Sequence, residues 1–223
     1  GANSGSVKAP GKSVAERLVA SVLGYIRIIE KCAFRDIVIS LKASTVLETI
    51  AAYRAMSKVC DYPLHLGVTA TGLPQAGAIK SGIACGILLA EGIGDTMRIS
   101  LTDKPVEEIR AARAILEALE LRHFGYEIIS CPTCGRCEVD LIKVVRELDK
   151  RLSGIRFKPA TRAIKVAVMG CVVNGPGEAA EADVGVAFGK QEGLLFKKGK
   201  PVRKVRLEEC VHVLAKEIEK SHV

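Results

Sequence analysis

Four of the eight cysteines fall in two short segments, Cys131-Pro-Thr-Cys134-Gly-Arg-Cys137 and, further on, Cys171 within Met169-Gly-Cys-Val-Val-Asn-Gly-Pro-Gly-Glu178. Thiolates bind zinc or iron. A Cys-Pro-x-Cys-Gly knuckle suits a structural zinc ribbon, but a closed Cys₄ zinc site takes a second Cys-x-x-Cys, and the second segment offers a single Cys. Three thiolates from a Cys-x-x-Cys and a distant Cys suit a 4Fe-4S cluster whose fourth iron takes a different ligand. Cys137 there would complete a four-thiolate set like that of an electron carrier. Glu178 would instead give a hard, exchangeable oxygen ligand that a substrate displaces. Residue chemistry favours iron–sulfur over structural zinc and leaves both open. The Gly175-Pro-Gly177 stretch before Glu178 reads as a tight turn with exposed amides, which suits a cofactor or a plain loop.

A second group of candidates is cationic and polar. Lys42, Thr69, Arg98 and Ser100 stand at the ends of expected strands. The C-terminal ends of parallel strands are where ligand-binding groups converge, and Arg and Lys are natural partners of phosphate. The bland alternative is that each tops a strand and meets solvent. The remaining cysteines, Cys32, Cys60, Cys85 and Cys210, fall on or beside helices, where a lone Cys behaves as a small apolar residue. His65 falls on a strand and His123, His212 and His222 near helix ends, none at metal spacing. Lys197, Lys198, Lys200, Arg203, Lys204 and Arg206 straddle a hairpin as a solvated face or a dock for an acidic redox partner.

The elements that must carry these residues alternate. In residues 13–31, Val14, Leu18, Val22, Tyr25 and Ile29 recur at helical spacing, with Ser13 and Glu16 as a capping pair. Strands are expected at 34–41, 63–68 and 96–101, and helices at 44–59, 76–89 and 106–121, the last capped by Thr102 or Asp103 with Pro105 in its first turn. Such alternation implies parallel βα units. The pattern changes near 122–125. Strands follow at 126–130, 164–169 and 184–188, a hairpin at 194–205, and helices at 139–152 and 207–220, a small α+β arrangement. The first part has only about three clear parallel strands, whereas a closed βα barrel takes eight strands and about 250 residues. It is therefore a small open sheet or part of a barrel.

The whole is 223 residues with 48% hydrophobic and 26% charged side chains, which excludes a disordered chain. No apolar run approaches the roughly 20 residues of a membrane span, and residues 1–12 hold no signal-peptide core, so a cytoplasmic location is expected, or the plastid stroma if a targeting segment has been removed. In such a reducing compartment clustered Cys bind metal or do redox work. The net charge of +8 comes with only 4% aromatics and no nucleic-acid-binding signature. A small anionic substrate accounts for it as well.

Together, Cys131-Pro-Thr-Cys-Gly-Arg, Gly170-Cys-Val-Val-Asn-Gly-Pro-Gly-Glu178, Leu64-His-Leu-Gly-Val-Thr and Glu91-Gly-Ile-Gly-Asp-Thr-Met-Arg98 closely resemble the 4-hydroxy-3-methylbut-2-enyl diphosphate synthase family of non-mevalonate isoprenoid biosynthesis, nearly end to end. The resemblance implies an α/β fold: the C-terminal part of a (β/α)₈ TIM-type barrel at 1–123, binding substrate, followed by a small α+β iron–sulfur domain at 124–223. It implies a 4Fe-4S cluster on Cys131, Cys134, Cys171 and Glu178, diphosphate contacts at Lys42, Arg98 and Ser100, and Asn174 and Glu178 beside the reacting centre. It further implies a homodimer whose active sites pair the barrel of one protomer with the cluster domain of the other, and a ferredoxin or flavodoxin as electron donor.

The implied reaction is reductive ring opening and dehydration of 2-C-methyl-D-erythritol 2,4-cyclodiphosphate, with the N-terminal half barrel outside this chain, which on its own is open to being inactive. Two departures stand out. The family reads Gly-Ile/Val-Thr-Glu-Ala-Gly where this chain has Gly67-Val-Thr-Ala70-Thr-Gly72, which removes a carboxylate, and Cys137 is an extra thiol. The rival readings are a non-catalytic iron–sulfur electron-transfer module and a structural zinc-binding protein.

Overall fold

The computed structural model describes residues 13–69, 71–157, 162–173 and 175–222. The chain divides into two compact units, Gly1–Arg122 and His123–Val223.

The first unit opens on α1 (Val14–Lys31), and its start is a full capping box: Ser13 Oγ accepts from Glu16 N at 3.2 Å and Glu16 Oε2 accepts from Ser13 N at 2.7 Å. Helices α2 (Val46–Met56), α3 (Pro74–Ala90) and α4 (Pro105–Ala118) alternate with two short parallel strands, β1 (His65–Leu66) and β2 (Thr96–Met97). The strands expected at 63–68 and 96–101 shrink to two residues each, and the one expected at 34–41 reduces to a single parallel bridge between Ile39 and Leu64. Side chains explain this, because they satisfy backbone donors that a ladder would otherwise use. Leu41 N donates to Tyr53 Oη at 3.1 Å, Ala43 N to Thr49 Oγ1 at 3.3 Å, and Leu64 N to Asp95 Oδ2 at 2.8 Å.

The α4 start also departs from expectation, since the N-cap is Lys104 rather than Thr102 or Asp103. Pro105 takes the first helical position, where its missing N–H costs nothing. The helix ends at Ala118 instead of 121 because Glu120 turns to φ +54° and Leu121 N bonds back to Leu116 O at 3.0 Å.

Alternation across these strands sorts two faces. Ile39, Leu41, Leu64, Leu66 and Ile99 are buried with Tyr53, Met56 and Leu88 of the helices. The alternating set, Val38, Ser40, Lys42, His65, Arg98 and Ser100, is half-buried or exposed. At about 25 cal/mol per Å², each fully buried Leu or Met contributes about 1.5–3 kcal/mol to folding.

The second unit is a five-stranded sheet of order β3-β4-β5-β6-β7, with β3 (Tyr126–Ser130), β4 (Ile164–Met169) and β5 (Val184–Phe188) parallel and β6 (Glu192–Lys197) and β7 (Lys200–Arg206) antiparallel. Helix α5 (Leu141–Leu152) is capped by Asp140 and buries Leu141, Val144, Leu148 and Leu152, a stripe at spacings of three and four. With α7 (Cys210–His222) it covers one face, where Leu148, Val166, Val186, Phe188, Leu214 and Ile218 form the core. The helix expected at 207–220 starts instead as a 3₁₀ turn, Leu207–Glu209. The expected tight turn at Gly175-Pro-Gly177 is also corrected: Gly175–Glu181 is a short helix, α6. Ala179 of the helix and Ala182 just after it pack with Ala167, Met169 and Ala187, and this close helix–sheet contact holds as a helix a segment whose local propensity is poor. Among the described residues no helix is long and apolar enough to cross a membrane.

Candidate functional site

Two sites stand out, one in each unit, and each is described by itself. In the first, β1 lies between the segment ending at Lys42 and the segment carrying Arg98. The β1–β2 register pairs Leu66 with Met97, which brings Gly67 level with Arg98. A Cβ on Gly67 would sit 2.9 Å from the Arg98 carbonyl oxygen, so only glycine permits this approach without a backbone shift. Burial first, and then the charge of Arg98, hold the Lys42 ammonium below its ordinary value. His65 belongs to the same face: burial first, then Lys42, then Arg98, lower its imidazole, and Nδ1 lies 2.8 Å from Thr96 Oγ1. Two coupled cations with no carboxylate in the coupling are the kind of arrangement that suits an anion.

Ser100 follows on the same strand extension, half-buried, with its carbonyl oxygen accepting from the Thr71 hydroxyl. Thr69 is half-buried three residues past β1. Ala70, the position of the missing carboxylate, lies outside the described residues.

In the second unit, parallel pairing of β3 with β4 places their C-terminal ends side by side, and the two cysteine segments leave from those ends. Gly170 N donates to Cys131 Sγ at 3.3 Å, and Glu138 N donates to Gly170 O at 2.9 Å. The Cys131–Cys137 loop closes on itself through Cys137 N to Cys134 O at 2.9 Å. Cys131 is half-buried, Cys134 exposed and Cys171 buried. Glu178 is exposed in the first turn of α6. Asn174 lies outside the described residues.

Cys137 behaves differently from the other thiols of its loop. Its Sγ donates to Val139 O at 3.2 Å, whereas packing against the core is shared with Cys131. Gly170 makes room for it, since a Cβ there would meet Cys137 Sγ at 2.5 Å. Among the described residues no three Cys, His, Asp or Glu side chains converge closely enough to hold a metal ion. The fit to an iron–sulfur group rests on donor chemistry and placement: three thiols on two adjacent loops, one already accepting a backbone N–H as a cluster thiolate does.

The sequence matches the GcpE TIM-barrel domain over residues 1–113 and the GcpE protein C-terminal domain over residues 127–220. The chain belongs to the GcpE family. Among its relatives, the 4-hydroxy-3-methylbut-2-en-1-yl diphosphate synthase (flavodoxin) of Geobacter sulfurreducens is 52% identical over 225 residues, covering 99% of this chain and 62% of the relative. The proteins of the same name from Clostridium tetani and Fusobacterium nucleatum are 51% and 48% identical, each over 98% of this chain and 62% and 63% of their own length. This GcpE chain thus spans a little over three-fifths of the length of the curated relatives it matches.

Sequence reasoning passed over His65 and Thr71. His65 read as an ordinary strand histidine, and its place among cations depends on the register of β1 and β2, which periodicity does not fix. Cys32, expected to pack as a small apolar residue, is exposed at the end of α1, whereas Cys85 and Cys210 are buried as expected, their thiols pushed up by burial to about 11 and about 12.

Proposed function

We propose that this chain is the cluster-bearing part of a 4-hydroxy-3-methylbut-2-enyl diphosphate synthase, an oxidoreductase that converts 2-C-methyl-D-erythritol 2,4-cyclodiphosphate into 4-hydroxy-3-methylbut-2-enyl diphosphate. Two electrons and a proton enter, the ring C–O bond to phosphate breaks with its oxygen retained on the phosphate, and the C3 hydroxyl leaves with the proton as water. On this reading residues 1–123 are the C-terminal portion of a TIM-type barrel and 124–223 an α+β 4Fe-4S domain. The observation that carries it is the Gly170 N to Cys131 Sγ bond of 3.3 Å, which joins the two cysteine segments at the ends of β3 and β4.

Cys131, Cys134 and Cys171 are the proposed thiolate ligands, with Glu178 as the fourth, exchangeable one. A 4Fe-4S cluster bound there supplies single electrons and a Lewis-acidic iron. The share of Cys137 is structural, supported by its bond to Val139 O. Lys42 and Arg98 hold the diphosphate by charge, and Ser100 adds a hydroxyl donor. A bound anion beside Lys42 offsets what lowers it, burial first and then the charge of Arg98, and so favours the charged ammonium. Asn174 and Glu178 are the proposed catalytic residues, and Glu178 is exposed in the first turn of α6. A flavodoxin or ferredoxin supplies the electrons, two protomers complete the active sites, and the cytoplasm is the compartment.

The test is binding of the cyclic diphosphate to the anaerobically iron-loaded chain, followed by equilibrium dialysis with Arg98→Ala and Lys42→Met alongside. The proposal expects each substitution to weaken binding at least about tenfold, as loss of a charge-assisted contact does. Equal binding by all three chains would overturn it.

A further inference from the structure

Beyond Lys42, Arg98 and Ser100, the loop after β1 carries a side chain with no part in the proposed chemistry. Thr71 is 2% exposed, and its hydroxyl donates to the carbonyl oxygen of Ser100, 29 residues away in sequence. The segment it grips is tied at three consecutive residues. Ser100 O accepts from Thr71 Oγ1, Leu101 N donates to Glu108 Oε1 at 2.9 Å, and Thr102 N donates to Gly72 O at 3.1 Å. The loop is itself held from α3 by Lys80 Nζ, 3.3 Å from Thr71 O.

The regular β1–β2 ladder stops at Leu66 and Met97. Beyond it, among the described residues, no strand pairing orients Ser100, so its position depends on these individual bonds. Of the three, only the Thr71 bond comes from a buried side chain and acts on Ser100 itself. A hydroxyl in so dry a site has a single good use, because leaving it unpaired costs more than the bond contributes.

We infer that Thr71 is a positioning residue of the anion site: its hydroxyl fixes the backbone of Ser100 and thereby aims the Ser100 side chain at the bound phosphate group. It touches no substrate. This inference rests on the reading of Lys42, Arg98 and Ser100 as an anion site.

The test is calorimetric titration of the full chain with inorganic pyrophosphate, together with thermal unfolding. The chains compared are wild type, Thr71→Val, Thr71→Ser, Ser100→Ala, Thr71→Val/Ser100→Ala and Arg98→Ala. Thr71→Val keeps the shape and deletes the hydroxyl, and is expected to weaken binding about tenfold. Thr71→Ser, which keeps the hydroxyl, is expected to bind within about twofold of wild type. In the Ser100→Ala background the valine is expected to change affinity by less than about twofold, because residues acting through one contact are not additive. Should Thr71→Val not fold, Thr71→Ala takes its place against Thr71→Ser in both backgrounds. Thr71→Val binding as tightly as wild type, no rescue by serine, or an undiminished loss in the Ser100→Ala background would each overturn the role. If Arg98→Ala binds pyrophosphate as well as wild type, the anion reading itself fails and takes this inference with it. If Arg98→Ala weakens binding while Thr71→Val does not, only Thr71 is misassigned.

Discussion

The backbone amide of Gly170 donates to the sulfur of Cys131 at 3.3 Å, so the residue that precedes Cys171 is held against the first thiol of the other cysteine segment. The bond exists because β3 and β4 run parallel and in register, Ser130 opposite Val168, and so release their loops at the same edge. Gly170 meets two further constraints there, since its carbonyl accepts from Glu138 N at 2.9 Å and its Cα faces Cys137 Sγ.

Replacing Gly170 by Ala forces a methyl against Cys137 Sγ at 2.5 Å, and the sulfur, packed on the α5 core, has little room to yield. Overpacking of this kind costs about 1–3 kcal/mol. The expected result is a lower urea midpoint at an unchanged slope, with less iron retained per chain after anaerobic loading.

Cys137 separates carrier from catalyst. Its thiol is already bonded to Val139 O, so Cys137→Ser keeps a donor and is expected to retain iron at the wild-type level. Cys131→Ser, Cys134→Ser and Cys171→Ser are each expected to lose most of it, with iron and acid-labile sulfide analysis as the measurement. Loss of the cluster in Cys137→Ser would favour the four-thiolate carrier instead.

Tyr53 holds two parallel segments together. It is fully buried, donates to His65 O at 2.5 Å and accepts from Leu41 N at 3.1 Å. Tyr53→Phe strands the buried Leu41 N, while His65 O keeps the Ser40 hydroxyl as a donor at 3.1 Å, and a loss of about 1–3 kcal/mol is expected in equilibrium unfolding. The same change displaces the strand ends that carry Lys42 and His65, so weaker pyrophosphate binding is expected to accompany it.

The long helices of both units were largely legible in the sequence, and for α1 and α4 a start signal was legible as well, Ser13 with Glu16 and Pro105. The strands of the second unit were legible too, being apolar runs that find full ladders. In the first unit the runs were equally apolar, but Tyr53, Thr49 and Asp95 claim the backbone donors, and no local pattern reveals a side chain arriving from another element. Helix α6 was illegible because Gly175, Pro176 and Gly177 argue against a helix locally and only packing on Ala187 and Met169 makes one. The types of the site residues could be read; that Lys42, His65 and Arg98 share one face, and that Thr71 reaches Ser100, depends on register.

His65 gives the first unit a pH signature. Burial, then Lys42 and Arg98, lower its folded value below the ordinary value near 6.5, while Thr96 Oγ1 engages Nδ1. As pH falls below about 6.5 the unfolded chain takes up a proton that the folded chain resists, so stability falls with pH across that window and is recovered on raising it. His65→Gln is expected to flatten the thermal midpoint between about pH 5 and 6.5. Saturating pyrophosphate is expected to reduce the slope in the wild type, since the anion neutralises the two cations that lower His65.

The measurement that bears most directly on the central claim is iron and acid-labile sulfide analysis, with an absorption spectrum, on the anaerobically purified chain and its Glu178→Ala variant. The account predicts about four iron and four sulfide per wild-type chain with a broad band near 400 nm, and a more labile cluster in Glu178→Ala. About one zinc per chain with no sulfide would contradict it and leave a structural metal knuckle.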